Sequence, residues 1–170
     1  MTAGLPPIGA EIPCSMLAID SVIEYRNQII NCDFRGGVRH RVDVNPHDPM
    51  TSVLLRTIGY RVTADTDRGT ITFEQNDVDV NPRSTLRTTQ QSPPQYLHRD
   101  VQEFSVTFDL DGEPVVLVTR APMVCEATLS QFPPRGDSYR LIEPVDLVDP
   151  EHPDTVVARL TAFPSKRGGL

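Results

Sequence analysis

The chain has 170 residues, a formal net charge of −7 and no Trp, and 38% of its residues are hydrophobic. This length is enough for one domain with a buried core. The negative charge opposes binding to nucleic acid and to anionic membranes, and the sequence lacks the apolar run of roughly 20 residues that a membrane-spanning helix needs. We therefore expect neither a nucleic-acid partner nor membrane association.

The first segment, residues 1–13, contains no Lys or Arg and no continuous apolar stretch, which is unlike a secretory signal. The three cysteines, Cys14, Cys32 and Cys125, are an odd number without metal-site spacing. Reduced thiols in a cytoplasmic protein fit this pattern best. We expect a single β domain over residues 1–170, with loosely tethered ends near 1–13 and 164–170.

Alternating apolar and polar segments fill most of the chain, and one short helix over Ser15–Ile23 is the only helical candidate. The segments are bounded by Pro, Gly, Asn and Asp, which end strands. The predicted strands are Asp20–Phe34, Val38–Val44, Val53–Ala64, Thr70–Val80, Ser84–Gln91, Tyr96–Leu110, Val115–Arg120, Val124–Gln131, Ser138–Val148 and Thr155–Phe163. So many strands with short links predict an all-β, antiparallel meander closed into a barrel, or else a two-sheet sandwich.

Asp111-Gly112 predicts a two-residue hairpin turn, because Gly readily adopts the positive φ of a type I′ turn. Pairing outward from this turn places one apolar face on the hairpin, which supports the register. The predicted pairs are Phe108 with Val115, Val106 with Leu117 and Phe104 with Thr119.

A second hairpin turns through residues 65–68. A four-residue loop matches the apolar faces of its two strands, whereas an odd loop length would not. The predicted pairs are Val62 with Ile71, Tyr60 with Phe73, Ile58 with Gln75 and Arg56 with Asp77.

Both hairpins show the same gradient, since the apolar face near each turn becomes polar farther along. The polar positions are Gln102, Asp100 and His98 on one hairpin, and Gln75, Arg56 and Asp77 on the other. Two interpretations stay open. The polar groups face inward above an aromatic floor, or a β-bulge exchanges the faces and turns them to solvent. The run 74–80 indicates such an exchange, because Val78 and Val80 have the opposite parity from Phe73.

If the polar groups face inward, some of these residues are candidates for catalysis and others for ligand binding. His98 is predicted as a general acid or base with Asp100 as its partner, and Arg56 or Tyr60 would stabilise developing negative charge. His40 shares the parity of neighbouring valines and is either a core histidine or a pocket wall. The predicted ligand-binding residues are His40, Tyr60, Phe73, Gln75, Asp77, Gln102 and Phe104.

No metal or cofactor is predicted. His40, His98 and Asp100 have the right ligand types, but the sequence contains no H-x-H, H-E-x-x-H or paired C-x-x-C spacing. A G-x-S-x-G turn, a Walker loop and a G-x-G-x-x-G turn are also missing from the sequence.

These features favour a small-molecule-binding β-barrel. A cofactor-independent isomerase, cyclase or dehydratase of specialised metabolism is the enzymatic form of this hypothesis, and the sequence leaves open whether the protein is an enzyme or a homo-oligomer. The architecture is similar in outline to calycin-type barrels and small barrel cyclases, a resemblance of fold alone. The alternative function is a non-enzymatic β-sandwich interaction module that acts through its strand edges and Pro-rich loops.

Overall fold

The computed structural model describes residues 4–169, and in that range every regular element is a β-strand. No helix in this part of the chain is long and apolar enough to cross a membrane. The strands are β1 (Glu11–Tyr25), β2 (Gln28–Val44), β3 (Ser52–Thr66), β4 (Gly69–Glu74), β5 (Thr85–Gln91), β6 (Pro94–Gln102), β7 (Ser105–Leu110), β8 (Glu113–Thr119), β9 (Met123–Leu129), β10 (Arg135–Leu141), β11 (Val145–Asp149), β12 (His152–Ala162) and β13 (Ser165–Gly169).

The strands form one closed antiparallel ring with eight positions. β1, β2 and β3 are long and fill one position each, whereas two short strands placed end to end fill each of the other five. For example, β4 pairs with one half of β3 and β5 with the other half. β1 closes the ring by pairing with both β12 and β13. The predicted all-β barrel, calycin-like in outline, is therefore confirmed, and the closed ring excludes the two-sheet sandwich.

The Asp111-Gly112 hairpin has the predicted register, with Phe108 opposite Val115. Both turn residues have positive φ, 55° and 76°, as a type I′ turn requires. The pairing continues beyond the end of β7, because the amide of Thr119 donates to the carbonyl of Phe104 at 3.1 Å.

The second hairpin has a tighter turn than predicted. Thr66 lies opposite Gly69, so the loop has two residues instead of four, and Val62 faces Phe73 instead of Ile71. A shift of two residues keeps every side chain on its face, because the side-chain period of a strand is two. The predicted inner face is therefore correct between Tyr60 and Phe73, and the predicted pairs are wrong.

The predicted helix over Ser15–Ile23 is wrong, since this segment lies within β1. A β-bulge between Ala18 and Ser21 holds Asp20 at a φ of 60°. It moves the buried positions from even numbers to odd numbers. The resulting mixed spacing of apolar residues resembles one helical turn.

The predicted strand Asp20–Phe34 is instead two strands joined by the turn Arg26-Asn27. Both turn residues have positive φ, 48° and 64°. Arg seldom adopts this left-handed conformation, and the turn contains no Gly. The sequence therefore carries no recognisable signal for this hairpin.

The chain ends are more ordered than expected where they can be described. β1 begins at Glu11, and residues 165–169 form β13 between β1 and β10. Ser165 and Arg167 are fully buried. The prediction of a loose tail from residue 164 is wrong for this segment, because paired neighbours on both sides hold it in the ring. Residues 1–3 and 170 lie outside the described residues.

The barrel interior is divided into an apolar half and a polar half. The half near the Arg26-Asn27 and Asp111-Gly112 turns is filled by aromatic rings. Its buried aromatic residues are Tyr25, Phe34, Phe73, Phe104, Phe108 and Phe163. The opposite half holds buried polar side chains, and the cysteines of the chain are buried and free.

Candidate functional site

Eight polar side chains in the second half of the barrel form what we call the buried polar cluster. They come from distant segments, since β2, β3, β6, β10 and β13 each contribute at least one. None of the eight is more than 2% exposed. The members are His40, Thr57, Ser84, His98, Asp100, Gln102, Tyr139 and Arg167.

An ion pair lies at the centre of the cluster. Arg167 Nη2 is 2.6 Å from Asp100 Oδ2, and both side chains are buried, so the two residues form a buried ion pair. The guanidinium also stacks over Tyr139, with its carbon 4.1 Å from the ring centroid. Asp100 Oδ1 accepts hydrogen bonds from Gln102 at 2.8 Å and Ser84 at 3.2 Å. Burial raises the pKa of Asp100, but Arg167 together with His40 and His98 outweighs this effect and holds the pKa below its usual range, so the carboxylate stays charged.

Two imidazoles lie beside this ion pair. His98 Nδ1 is 2.6 Å from the Tyr139 hydroxyl, and His40 Nδ1 is 3.4 Å from the Thr57 hydroxyl. The two rings meet edge to face, with their centroids 5.6 Å apart. Burial lowers the pKa of His40 to about 4 and the pKa of His98 well below its usual value. Both imidazoles are therefore neutral at physiological pH.

Several buried atoms of the barrel interior lack a hydrogen-bond partner within residues 4–169. A buried polar group without a partner typically costs about 1–3 kcal/mol, so a set of them in one place is unusual for a purely structural core. The unpartnered side-chain atoms include His40 Nε2, His98 Nε2, Tyr60 Oη, Ser165 Oγ, Arg167 Nε and Arg167 Nη1.

A cleft of about 610 Å³ lies in the barrel wall next to the cluster. It lies where β4, β6 and β8 end, and residues 75–81 form one of its sides. Gln102 and Phe104 line its inner end. The amide of Gln102 donates to Asp100 and to Thr57, at 2.8 and 2.7 Å, so one side chain joins the cleft to the cluster.

Seven of the ten predicted site residues face the interior. His40, His98, Asp100 and Gln102 belong to the cluster, which supports the inward interpretation for β2 and β6. The other three interior residues, Tyr60, Phe73 and Phe104, are aromatic and pack beneath the cluster. Phe104 stacks on Phe73 and Tyr60, with ring centroids 4.7 and 5.7 Å apart.

The three remaining predicted site residues are Arg56, Gln75 and Asp77, and none of them belongs to this interior set. Arg56 lies outside the barrel, where its Nε donates to Asp43 at 2.8 Å and its Nη1 contacts the carbonyl of Asp79. The reason is a bulge in β3, since Arg39 pairs with Gly59 but His40 pairs with Thr57. This bulge turns Thr57 inward and Arg56 outward.

Asp77 is exposed, because β4 ends at Glu74 and does not continue to Val80 as predicted. The predicted Arg56–Asp77 pair across the hairpin is therefore wrong. Gln75 is half-buried at the cleft and donates to the carbonyl of Thr57 at 2.9 Å.

The sequence analysis missed Thr57, Ser84, Tyr139 and Arg167. Arg167 is the last of three alternating residues, after Phe163 and Ser165. This short segment near the end of the sequence resembles a loose tail unless its strand pairing is known. The available signal was Asp100 itself, because a carboxylate that faces inward needs a cationic partner.

The cluster also contains a possible set of metal ligands. Ligand atoms of His40, His98 and Asp100 all lie within 4.8 Å of one another. Spacing motifs do not reveal this set, because His40 lies on β2 and the other two residues lie on β6. The Arg167 guanidinium on Asp100 opposes a cation at this position.

No protein-family model and no curated protein matches this sequence. Among solved structures, the fold is similar to DynF from the dynemicin biosynthesis pathway of Micromonospora chersina. The TM-score is 0.73 at 20% sequence identity, and the match covers 99% of this chain and 87% of that chain. This similarity supports the barrel fold.

Proposed function

We propose that the chain is a small-molecule-binding β-barrel whose ligand occupies the lateral cleft and presents a polar group to the buried polar cluster. The observation that carries this proposal is the set of buried, unpartnered polar atoms on His40, His98, Tyr60 and Arg167. Because each such atom destabilises the folded state, a ligand that provides their hydrogen bonds is a physical reason for their presence.

The division of the interior fits such a ligand. Small-molecule sites are mostly apolar concave surfaces with a few placed polar groups. Phe104 lines the inner end of the cleft and stacks on the buried ring of Phe73, and Gln102 lies between the cleft and the polar part. A cleft of about 610 Å³ lies within the usual range for drug-sized molecules, roughly 300–1,000 Å³.

The cluster also supports proton-transfer chemistry. A neutral imidazole at His98 suits a general acid or base, and the nearby Arg167 suits stabilisation of an enolate oxygen. This chemistry corresponds to a cofactor-independent isomerisation, cyclisation or dehydration of a substrate held in one geometry. The fold similarity to a protein of a biosynthesis pathway supports a role in specialised metabolism.

Binding of the dye Nile red tests the proposal. We expect saturable binding to the wild-type chain, and at least about tenfold weaker binding to Val118→Trp, which places a large ring in the cleft wall. Val116→Trp is the matched control, because Val116 lies two residues away on β8 and is 53% exposed. Undetectable binding to the wild type, or equal affinity for the two variants, contradicts the proposal.

A further inference from the structure

Arg167 has more hydrogen-bonding capacity than its surroundings use. Its Nη2 contacts Asp100, but Nε and Nη1 have no partner within residues 4–169, although the side chain is only 1% exposed. A guanidinium can donate hydrogen bonds and cannot accept them. The partner it lacks must therefore be an acceptor.

The one charged acceptor of the cluster is the Asp100 carboxylate, which meets Arg167 through Nη2 and leaves Nε and Nη1 without a partner within residues 4–169. Asp100 Oδ1 already accepts from Ser84 and Gln102, and Asp100 Oδ2 contacts Arg167. The other unpartnered groups are adaptable, because the Tyr60 hydroxyl and a neutral imidazole can each donate or accept. Each of these groups can therefore donate a hydrogen bond to an oxygen of a bound ligand.

The charge balance favours an anion over a cation. Arg167 and Asp100 sum to zero formal charge, and the neighbouring imidazoles are neutral. A divalent cation on His40, His98 and Asp100 would leave two uncompensated positive charges beside the guanidinium. A carboxylate or enolate would leave one negative charge, beside a guanidinium with two unpartnered donors.

We infer that the buried polar cluster binds an acidic oxygen of the ligand, a carboxylate or an enolate, with Arg167 as its principal donor. Charge-assisted hydrogen bonds to a guanidinium are about twice as strong as neutral ones, and Arg suits bidentate binding of carboxylates. This inference rests on the proposed function, because it names the chemical group by which the ligand is held.

A matched pair of probes tests the inference. 2-Naphthoate and 2-naphthamide have the same rings and differ in charge, and both can be titrated by calorimetry with Nile red displacement as a second readout. We expect the wild type to bind the carboxylate at least tenfold more tightly than the amide. The double variant Asp100→Leu/Arg167→Met removes both charges and should bind the two probes with equal affinity. Arg61→Met, an exposed arginine whose side chain is 67% exposed, is the control and should keep the preference.

The outcomes separate this inference from the proposed function. Equal affinity of the wild type for both probes, or no binding of the carboxylate, overturns the inference that the cluster binds an acidic oxygen. Nile red binding then shows that the cleft still binds ligands. Failure of Nile red to bind overturns the proposed function itself. Stoichiometric binding of Zn²⁺ or Fe²⁺ that requires His40 and His98 also overturns the inference, because it assigns the cluster to a cation.

Discussion

The ion pair between Asp100 and Arg167 gives the most direct test of the structure. Asp100→Leu and Arg167→Met each remove one charge and leave the other buried, since both side chains are at most 1% exposed. Breaking a buried pair in this way typically destabilises a protein by about 3–5 kcal/mol. We expect each single variant to lose stability on this scale, which is a large part of the 5–15 kcal/mol that holds a typical domain folded.

The double variant should be less destabilised than the sum of the two single variants. It leaves no uncompensated charge, but Ser84 and Gln102 lose their acceptor on Asp100, at a cost of about 1–3 kcal/mol for a buried group. We therefore expect a coupling energy of at least about 2 kcal/mol from the double-mutant cycle.

Urea unfolding followed by circular dichroism measures these energies in the four proteins. The matched control is the Arg61–Glu74 pair, with 3.0 Å between Nε and Oε2 and side chains 67% and 55% exposed. The cycle of Arg61→Met and Glu74→Leu should give a coupling of at most about 1 kcal/mol. A single variant of the buried pair that does not fold, beside a double variant that does, shows the same coupling. A coupling of the buried pair within about 0.5 kcal/mol of zero refutes the charge network described above.

Two further predictions concern pH and packing. Because burial lowers the pKa of His40 from 6.5 to about 4, the unfolded chain binds more protons than the folded chain in this range. The contribution of His40 to stability should therefore fall by about 3 kcal/mol as pH drops from 6.5 to 4, and His98, whose pKa is also lowered, adds to the loss. Urea melts measure this loss, and a flat profile would contradict it; His40→Gln should have a shallower profile than the wild type. Gly36→Ala should destabilise the barrel by about 1–3 kcal/mol, since a Cβ at this position would overlap the backbone of Arg61, whereas at Gly59 its nearest contact is 3.9 Å away. Thermal unfolding compares Gly36→Ala with the Gly59→Ala control, and equal melting temperatures would contradict the packing argument.

The inner face of β6 and β7 could be predicted from the sequence because a turn anchors it. The Asp111-Gly112 turn fixes the register, and every second residue from Phe108 to His98 is buried. The alternation continues across the break between β6 and β7, because the two residues between these strands, 103 and 104, are an even number. A strong local turn signal therefore gave correct positions ten residues away.

The wall formed by β3 could not be predicted in the same way. Its bulge near Ile58 depends on pairing with β2, a contact between segments that are distant in sequence. The bulge placed Thr57 in the cluster and Arg56 outside. Alternation within one strand contains no information about an inserted residue, so parity arguments fail beyond such a point.

The breaks in the strands connect the fold to the proposed function. An unbroken eight-stranded barrel hydrogen-bonds its wall along the whole length, and an interior polar cluster would then be reached only from the ends. Here β4, β6 and β8 stop at the same level, at Glu74, Gln102 and Thr119. The cleft lies at this level, and Gln102 is both the last residue of β6 and a hydrogen-bond donor to Asp100. The cleft thus lies in the wall beside the buried charges, and it is from this side that the proposed ligand would approach them.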